Sequence, residues 1–165
     1  MLYEPREVIK KRITIILLMI FLAVEPGCGL FITATYDTTK YQAIHQAALD
    51  GDVVKLNELI KTNPSLVNAR DYDDNTPLHL AAIHGRADAS EFLLEHGAAV
   101  NAQNSAKMTP LHVAVKQGFI DVVKELLSHK PDLNIKDSRG WTPLTWAEKT
   151  HHDEIANLLR ENGAH

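Results

Sequence analysis

The sequence predicts an all-α solenoid of about four helix-turn-helix units with protruding β-turn loops. Three observations predict it. A heptapeptide recurs as Thr76-Pro77-Leu78-His79-Leu80-Ala81-Ala82, Thr109-Pro110-Leu111-His112-Val113-Ala114-Val115 and Thr142-Pro143-Leu144-Thr145-Trp146-Ala147-Glu148. Its step is 33 residues both times, the spacing of stacked supersecondary units. Helix start and stop signals agree around each copy. Such an array presents a long surface to another macromolecule and rarely encloses a small-molecule pocket.

From the amino end, Lys10-Lys11-Arg12 is followed by twelve uncharged, mostly large apolar residues (13–24), then by Glu25, Pro26, Gly27, Cys28 and Gly29. A cationic start, a short apolar run and a small-residue region form the layout of a secretory signal. Twelve helical residues reach about 18 Å, short of the roughly 30 Å of bilayer hydrocarbon. Extending the run through residues 30–34 would place Glu25, Pro26 and two glycines in the membrane, at high cost. Residues 1–29 therefore read as a signal peptide or membrane anchor, with residues 13–24 as the part able to contact a membrane, and residues 30–36 as a linker. Gly27 and Gly29 satisfy the small-x-small rule for cleavage after Gly29. Residues 24–28 are also similar to a bacterial lipoprotein signal, which makes Cys28 a candidate for lipidation. Gly27 fits that pattern; Glu25 and Pro26 depart from it. The expected location is outside the cytoplasm (periplasmic or secreted) or tethered to a membrane. The alternative is an anchored adaptor on the cytoplasmic face, which the positive-inside rule allows only if the segment does not cross.

Residues 37–165 read as the repeat domain, in units of about 37–70, 71–103, 104–136 and 137–165. In the second unit Thr76 can cap a helix through its hydroxyl, and Pro77 suits the first turn, where its missing N–H costs nothing. Leu78, Ala81 and Ala82 share one face. Gly85 breaks the chain, a second helix runs about residues 88–95 with Phe92 and Leu93 inward, and His96-Gly97 ends it in a left-handed cap. A polar turn follows at residues 104–108, as at 71–75 one unit earlier. The first unit is degenerate: Asp37, Ile44, His45, Ala47, Ala48 and Gly51 precede their counterparts by 34 residues, the extra one falling in the Asn63-Pro64-Ser65-Leu66 loop. Ala43 stands there in place of the capping threonine. Lys130-Pro131 replaces Gly97-Ala98, which puts a lysine where a left-handed backbone is expected, at a cost of roughly 1 kcal/mol. Ala89 and Ser90 replace larger residues of the second helix and should thin its packing.

These residues resemble the ankyrin repeat, whose signature is Thr-Pro-Leu-His-x-Ala followed by a glycine and a paired-leucine helix. The resemblance runs from about Asp37 to His165. It implies that His45, His79 and His112 hydrogen-bond neighbouring loops, and that a partner protein docks on the turn tips and the exposed side of the first helices. The tip positions are Tyr72, Asp73 and Asn75; Ser105, Ala106 and Met108; Ser138, Arg139 and Trp141. The helix positions are Ile83 and His84, Lys116 and Gln117, Lys149 and Thr150. Exposed tyrosine, tryptophan, arginine and methionine dominate interface energies, so Tyr72, Trp141, Met108 and Arg139 lead. The competing reading of Trp141 is packing within its own terminal repeat.

Charge and composition exclude other classes. The net charge is −4, and residues 1–29 contribute +1, leaving about −5 for the rest. An acidic array lacks the basic stripe that nucleic acid requires. One cysteine allows no intrachain disulfide and no cysteine-based zinc site. Nine histidines raise a metal or acid–base alternative, but His151-His152 has no further ligands at metal spacing, and no phosphate loop or nucleophile set is present. The carboxylates Asp71, Asp73 and Asp74 fall short of a calcium-loop pattern. The expectation is a monomer with no cofactor, no metal and no enzyme activity, whose partner is another protein.

Overall fold

The computed structural model describes the backbone of residues 38–165 and the side chains of residues 42–165. The expectations for residues 1–29 (Cys28 included), for residues 30–36 and for Asp37 lie outside the described residues. The described residues hold eight α-helices and no strand. The helices come in pairs: α1 (Thr38–Asp50) with α2 (Val53–Thr62), α3 (Pro77–Ile83) with α4 (Ala87–Glu95), α5 (Pro110–Gln117) with α6 (Ile120–Ser128), and α7 (Pro143–Lys149) with α8 (Asp153–Glu161). The first helices α1, α3, α5 and α7 pack side by side in that order, and α2, α4 and α6 form a second row behind them.

One face of every helix supplies the core, at i, i+3, i+4 spacing. Ile44, Leu56, Leu78, Leu93, Leu111, Leu126 and Leu159 are fully or almost fully buried. Ala48, Ala81, Ala82, Ala114 and Ala147 are buried at the helix crossings, where a small side chain lets the paired helix approach. Thr76, Thr109 and Thr142 all sit in extended backbone just before a proline that begins the helix. Proline fixes that boundary, because its ring disfavours the helical conformation in the residue before it.

The first repeat shows what happens without it. Ala43 is not a cap: at the 34-residue step it matches Pro77, with Gln42 matching Thr76, and α1 starts at Thr38 and runs straight through both positions. No proline excludes the preceding residues from the helix, so the helix extends toward the amino end. The inserted Pro64 turn is a 3₁₀ helix, Pro64–Asn68, whose Leu66 and Val67 are buried, so the extra residue is absorbed without opening the core. Lys130 does hold a left-handed backbone, at φ 51°, where Gly97 stands at 88°. Ala89 and Ser90 are both fully buried, and the Ser90 hydroxyl is satisfied by donating to the Arg86 carbonyl at 2.8 Å.

Candidate partner-binding surface

Each tip is built by one carboxylate or amide at the same place in three successive repeats. Asp71 Oδ1 accepts from the backbone N–H groups of Asp73 and Asn75, both at 2.8 Å. Asn104 Oδ1 accepts from Ala106 and Met108, both at 3.0 Å. Asp137 Oδ1 accepts from Arg139 at 2.8 Å and Trp141 at 3.0 Å. A short side-chain oxygen that bonds its own backbone two residues on is the mechanism of an Asx turn. Backbone bonds close each loop from Asp71 to Asn75, Asn104 to Met108 and Asp137 to Trp141, all at 3.0 Å. The tips then join one another: Ser105 N–H donates to the Asp73 carbonyl and Ser138 N–H to the Ala106 carbonyl, each at 3.0 Å. The row is therefore a rigid mount.

The signature histidines tie that mount to the helices. In α3, Nδ1 of His79 accepts from Thr76 N–H at 3.1 Å. That fixes the proton on Nε2, which donates to the Met108 carbonyl of the next tip at 3.0 Å. His112 repeats the arrangement between Thr109 N–H and the Trp141 carbonyl, both at 3.1 Å. His45 Nε2 lies 3.1 Å from both the Ala69 and Asn75 carbonyls. Burial lowers the pKa of His79 to about 4, against the raising effect of its bond to Met108, and burial lowers that of His112 as well. His79 and His112 are neutral linkers between adjacent repeats. Among the described residues there is no group of metal ligands and no helix long and apolar enough to cross a membrane.

A family model described as ankyrin repeats (3 copies) matches residues 17–104 and 99–165. This chain belongs to the ankyrin-repeat family. Ankyrin repeats are protein-interaction modules, and that is the class of function membership gives the chain. The serine/threonine-protein kinase VIK of Arabidopsis thaliana is 47% identical over 51 residues, 31% of this chain and 12% of that protein. A transient receptor potential cation channel subfamily A member 1 homolog of Caenorhabditis elegans is 47% identical over 55 residues, 33% of this chain and 4% of the channel. Human ankyrin repeat domain-containing protein 13C is 38% identical over 55 residues, 33% of this chain and 10% of that protein. The matched stretches thus span 12% or less of these relatives.

Within the ankyrin stack, the residues expected at the surface separate into two groups. Tyr72 (78% exposed), Asp73, His84, Lys116, Gln117 and Arg139 are exposed, as are Ser105, Ser138 and Lys149. Ile83, Ala106 and Thr150 are half-buried. Met108 and Trp141 are half-buried and pack against the core. Asn75 is a correction to the tip set. It is buried, its amide donating to Asp71 Oδ2 at 3.1 Å and its oxygen accepting from Asn104 at 2.9 Å, so its polar atoms join two tips instead of facing a partner.

Trp141 stands edge-on to the buried Trp146, with ring centroids 4.9 Å apart. The competing reading of Trp141, packing within its own repeat, thus describes where the ring sits. Trp146 Nε1–H donates to Asp137 Oδ2 at 2.8 Å. Burial of Asp137 opposes ionisation, but the N–H donors of Trp141, Trp146 and Arg139 outweigh it and hold the carboxyl below its usual range. The motif reading took Asp71 only as part of an acidic turn and did not single out Asn104 or Asp137. Their signal was present: an Asp or Asn five residues before each Thr-Pro, at the same 33-residue step.

Proposed function

We propose that the chain is a monomeric, non-catalytic docking module. Its partner protein lies along the exposed tips and the open side of the first helices, outside the cytoplasm or at a membrane. The observation that carries the surface assignment is Tyr72: a large aromatic ring, 78% exposed, on a loop whose backbone is hydrogen-bonded within itself and to the next tip. Little backbone ordering entropy remains to be lost when such a ring is covered, and that favours it as an anchor. His84, Lys116, Gln117 and Arg139 extend the same surface along the stack. The compartment rests on the signal-like layout of residues 1–29.

The test is photo-crosslinking from position 72 in the native cell, with Tyr72→Ala as the comparison. The alanine variant should keep its melting temperature, as an exposed substitution does, and lose the captured protein. A melting temperature several degrees lower would make Tyr72 a structural residue, and unchanged capture would remove it from the interface. Intact mass and N-terminal sequencing of the fractionated native protein test the compartment. A mature start near Cys28 or Leu30 in a non-cytoplasmic fraction supports export. Added lipid mass on Cys28 supports tethering, and an intact Met1 in the membrane fraction supports the anchor.

A further inference from the structure

The reading that a partner covers the tips leaves open what chemistry it brings, and the two ends of the tip row differ. At the second tip and its first helix the exposed side chains include Tyr72, His84 and the charged Arg70, Asp73 and Asp74. At the third and fourth the exposed charged ones are Lys107, Lys116, Lys136, Arg139 and Lys149 against Glu148. Resting on that reading, we propose that the basic end is a docking site for an acidic segment of the partner protein, anchored by Arg139 and Lys116 over the Trp141–Trp146 pair.

The anchor is preformed. The Arg139 guanidinium lies 5.5 Å from the centre of the Trp141 ring and 5.3 Å from that of Trp146. Lys116, from the preceding repeat, places its ammonium 5.0 Å from the same Trp146 ring. Two cations from different repeats thus converge on one buried indole, which Asp137 holds in place. Like charges gathered at one ring repel each other, and the ring faces offset only part of that. The nearby carboxylates are already engaged. Asp137 accepts N–H bonds on both oxygens, and Glu148 takes the Arg160 guanidinium at 2.6 Å. Among the described residues, neither the Arg139 guanidinium nor the Lys116 ammonium has a carboxylate oxygen within 4.0 Å. An incoming carboxylate would supply that charge.

The polarity of the row selects a peptide over the other polyanions. A flat anionic membrane or a nucleic-acid duplex spreads charge along its whole length and would meet Asp73 and Asp74 at the other end. An extended segment can confine its carboxylates to a few residues. Packed helices lie roughly 10 Å apart and an extended chain rises about 3.3 Å per residue, so carboxylates three residues apart match successive repeats.

Trp141 and Trp146 are the two tryptophans of the sequence, so intrinsic fluorescence reports on the site directly. The full chain is titrated with a peptide of three glutamates spaced three residues apart by glycines. The expected result is a saturable change that the same peptide with glutamine for glutamate does not produce. It should weaken about tenfold or more in the Lys116→Gln/Arg139→Gln double variant and persist in Asp73→Asn. No saturable change, or equal affinity in the double variant with its helical circular dichroism intact, overturns the proposal. So does a response to phosphatidylserine vesicles or a short DNA duplex exceeding that to the peptide at equal charge. If cellular capture is lost on Tyr72→Ala but survives the double variant, the acidic-segment inference fails and the docking reading stands. If capture survives both, the docking surface itself is wrong.

Discussion

The third and fourth repeats carry nearly the same heptapeptide and use it differently. In the third, His112 reaches out of its helix to the Trp141 carbonyl of the next tip. In the fourth, the histidine position is Thr145, whose hydroxyl lies 3.1 Å from that of Thr142 and goes no further. The residue after it is Val113 in the third repeat; in the fourth it is Trp146, whose indole N–H turns back to bond Asp137 of its own tip. One segment couples a repeat to its successor; its copy secures a repeat to itself. The same Thr-Pro helix start thus supports either role, and the residues at the histidine position and just after it decide which.

The largest test of that contrast is core truncation. Leu111→Ala in the fully buried third repeat should cost roughly 2–5 kcal/mol. The matching Leu144→Ala, at a site already 9% exposed, should cost less. Equal losses in denaturant titrations would show that the fourth repeat is as tightly enclosed as the third.

Acid should strike the coupling histidines next. Native His79 has a pKa of about 4 and the unfolded chain takes up its proton near 6.5. Between those values only the unfolded state is protonated, so stability is complete above pH 6.5 and falls as pH drops toward 4. His79 alone accounts for about 3 kcal/mol of that loss. His112 acts with the same sign, and Asp137, whose pKa is lowered, adds to the loss at the acid end. Denaturation midpoints at pH 7.5 and 4.5 measure it; identical midpoints would mean that the imidazoles ionise in place at no cost. Trp146→Phe then tests the fourth repeat's own bond. It strips one N–H donor from the buried Asp137 carboxylate, for about 1–3 kcal/mol, and an unchanged melt would show that the indole does not hold the tip.

The smallest effect is a gain. Lys130→Gly relieves a left-handed lysine at φ 51° and should stabilise by up to about 1 kcal/mol, less the added freedom of the unfolded chain. A clear loss would mean that the lysine side chain contributes something its backbone strain conceals.

Much of this was legible because the heptapeptide reports local physics. Threonine before proline marks a helix boundary whatever surrounds it, and the 33-residue step carries the stacking. The tip assignments were harder to read. Asn75 and Tyr72 stand three residues apart on one loop with opposite exposure, and polarity gives no hint of it. Asn75 is bonded by Asn104, 29 residues away and in another repeat. Local sequence could rank Trp141 as an interface type, but its ring is claimed by Trp146, a departure from the repeated pattern at the chain's last unit. The start of α1 was misplaced for the converse reason: a boundary signal was absent, and absence does not say how far a helix extends.

The turn between the two helices of each repeat has a further consequence for how such a chain can change over generations. Phe119 lies over Gly85 and His152 over Gly118, so closely that a Cβ on either glycine would come within 2.8 and 2.7 Å of the ring above it. Arg86 likewise folds back over the first repeat, its Nε–H donating to the Leu49 carbonyl at 2.9 Å. The side chain ahead of α4, α6 and α8 is therefore a key, and the lock is in the unit before it. A repeat copied or moved by recombination carries its own key but meets a neighbour's lock. Insertion succeeds only where the neighbour offers a bare glycine, so what inheritance must keep matched is the seam between units.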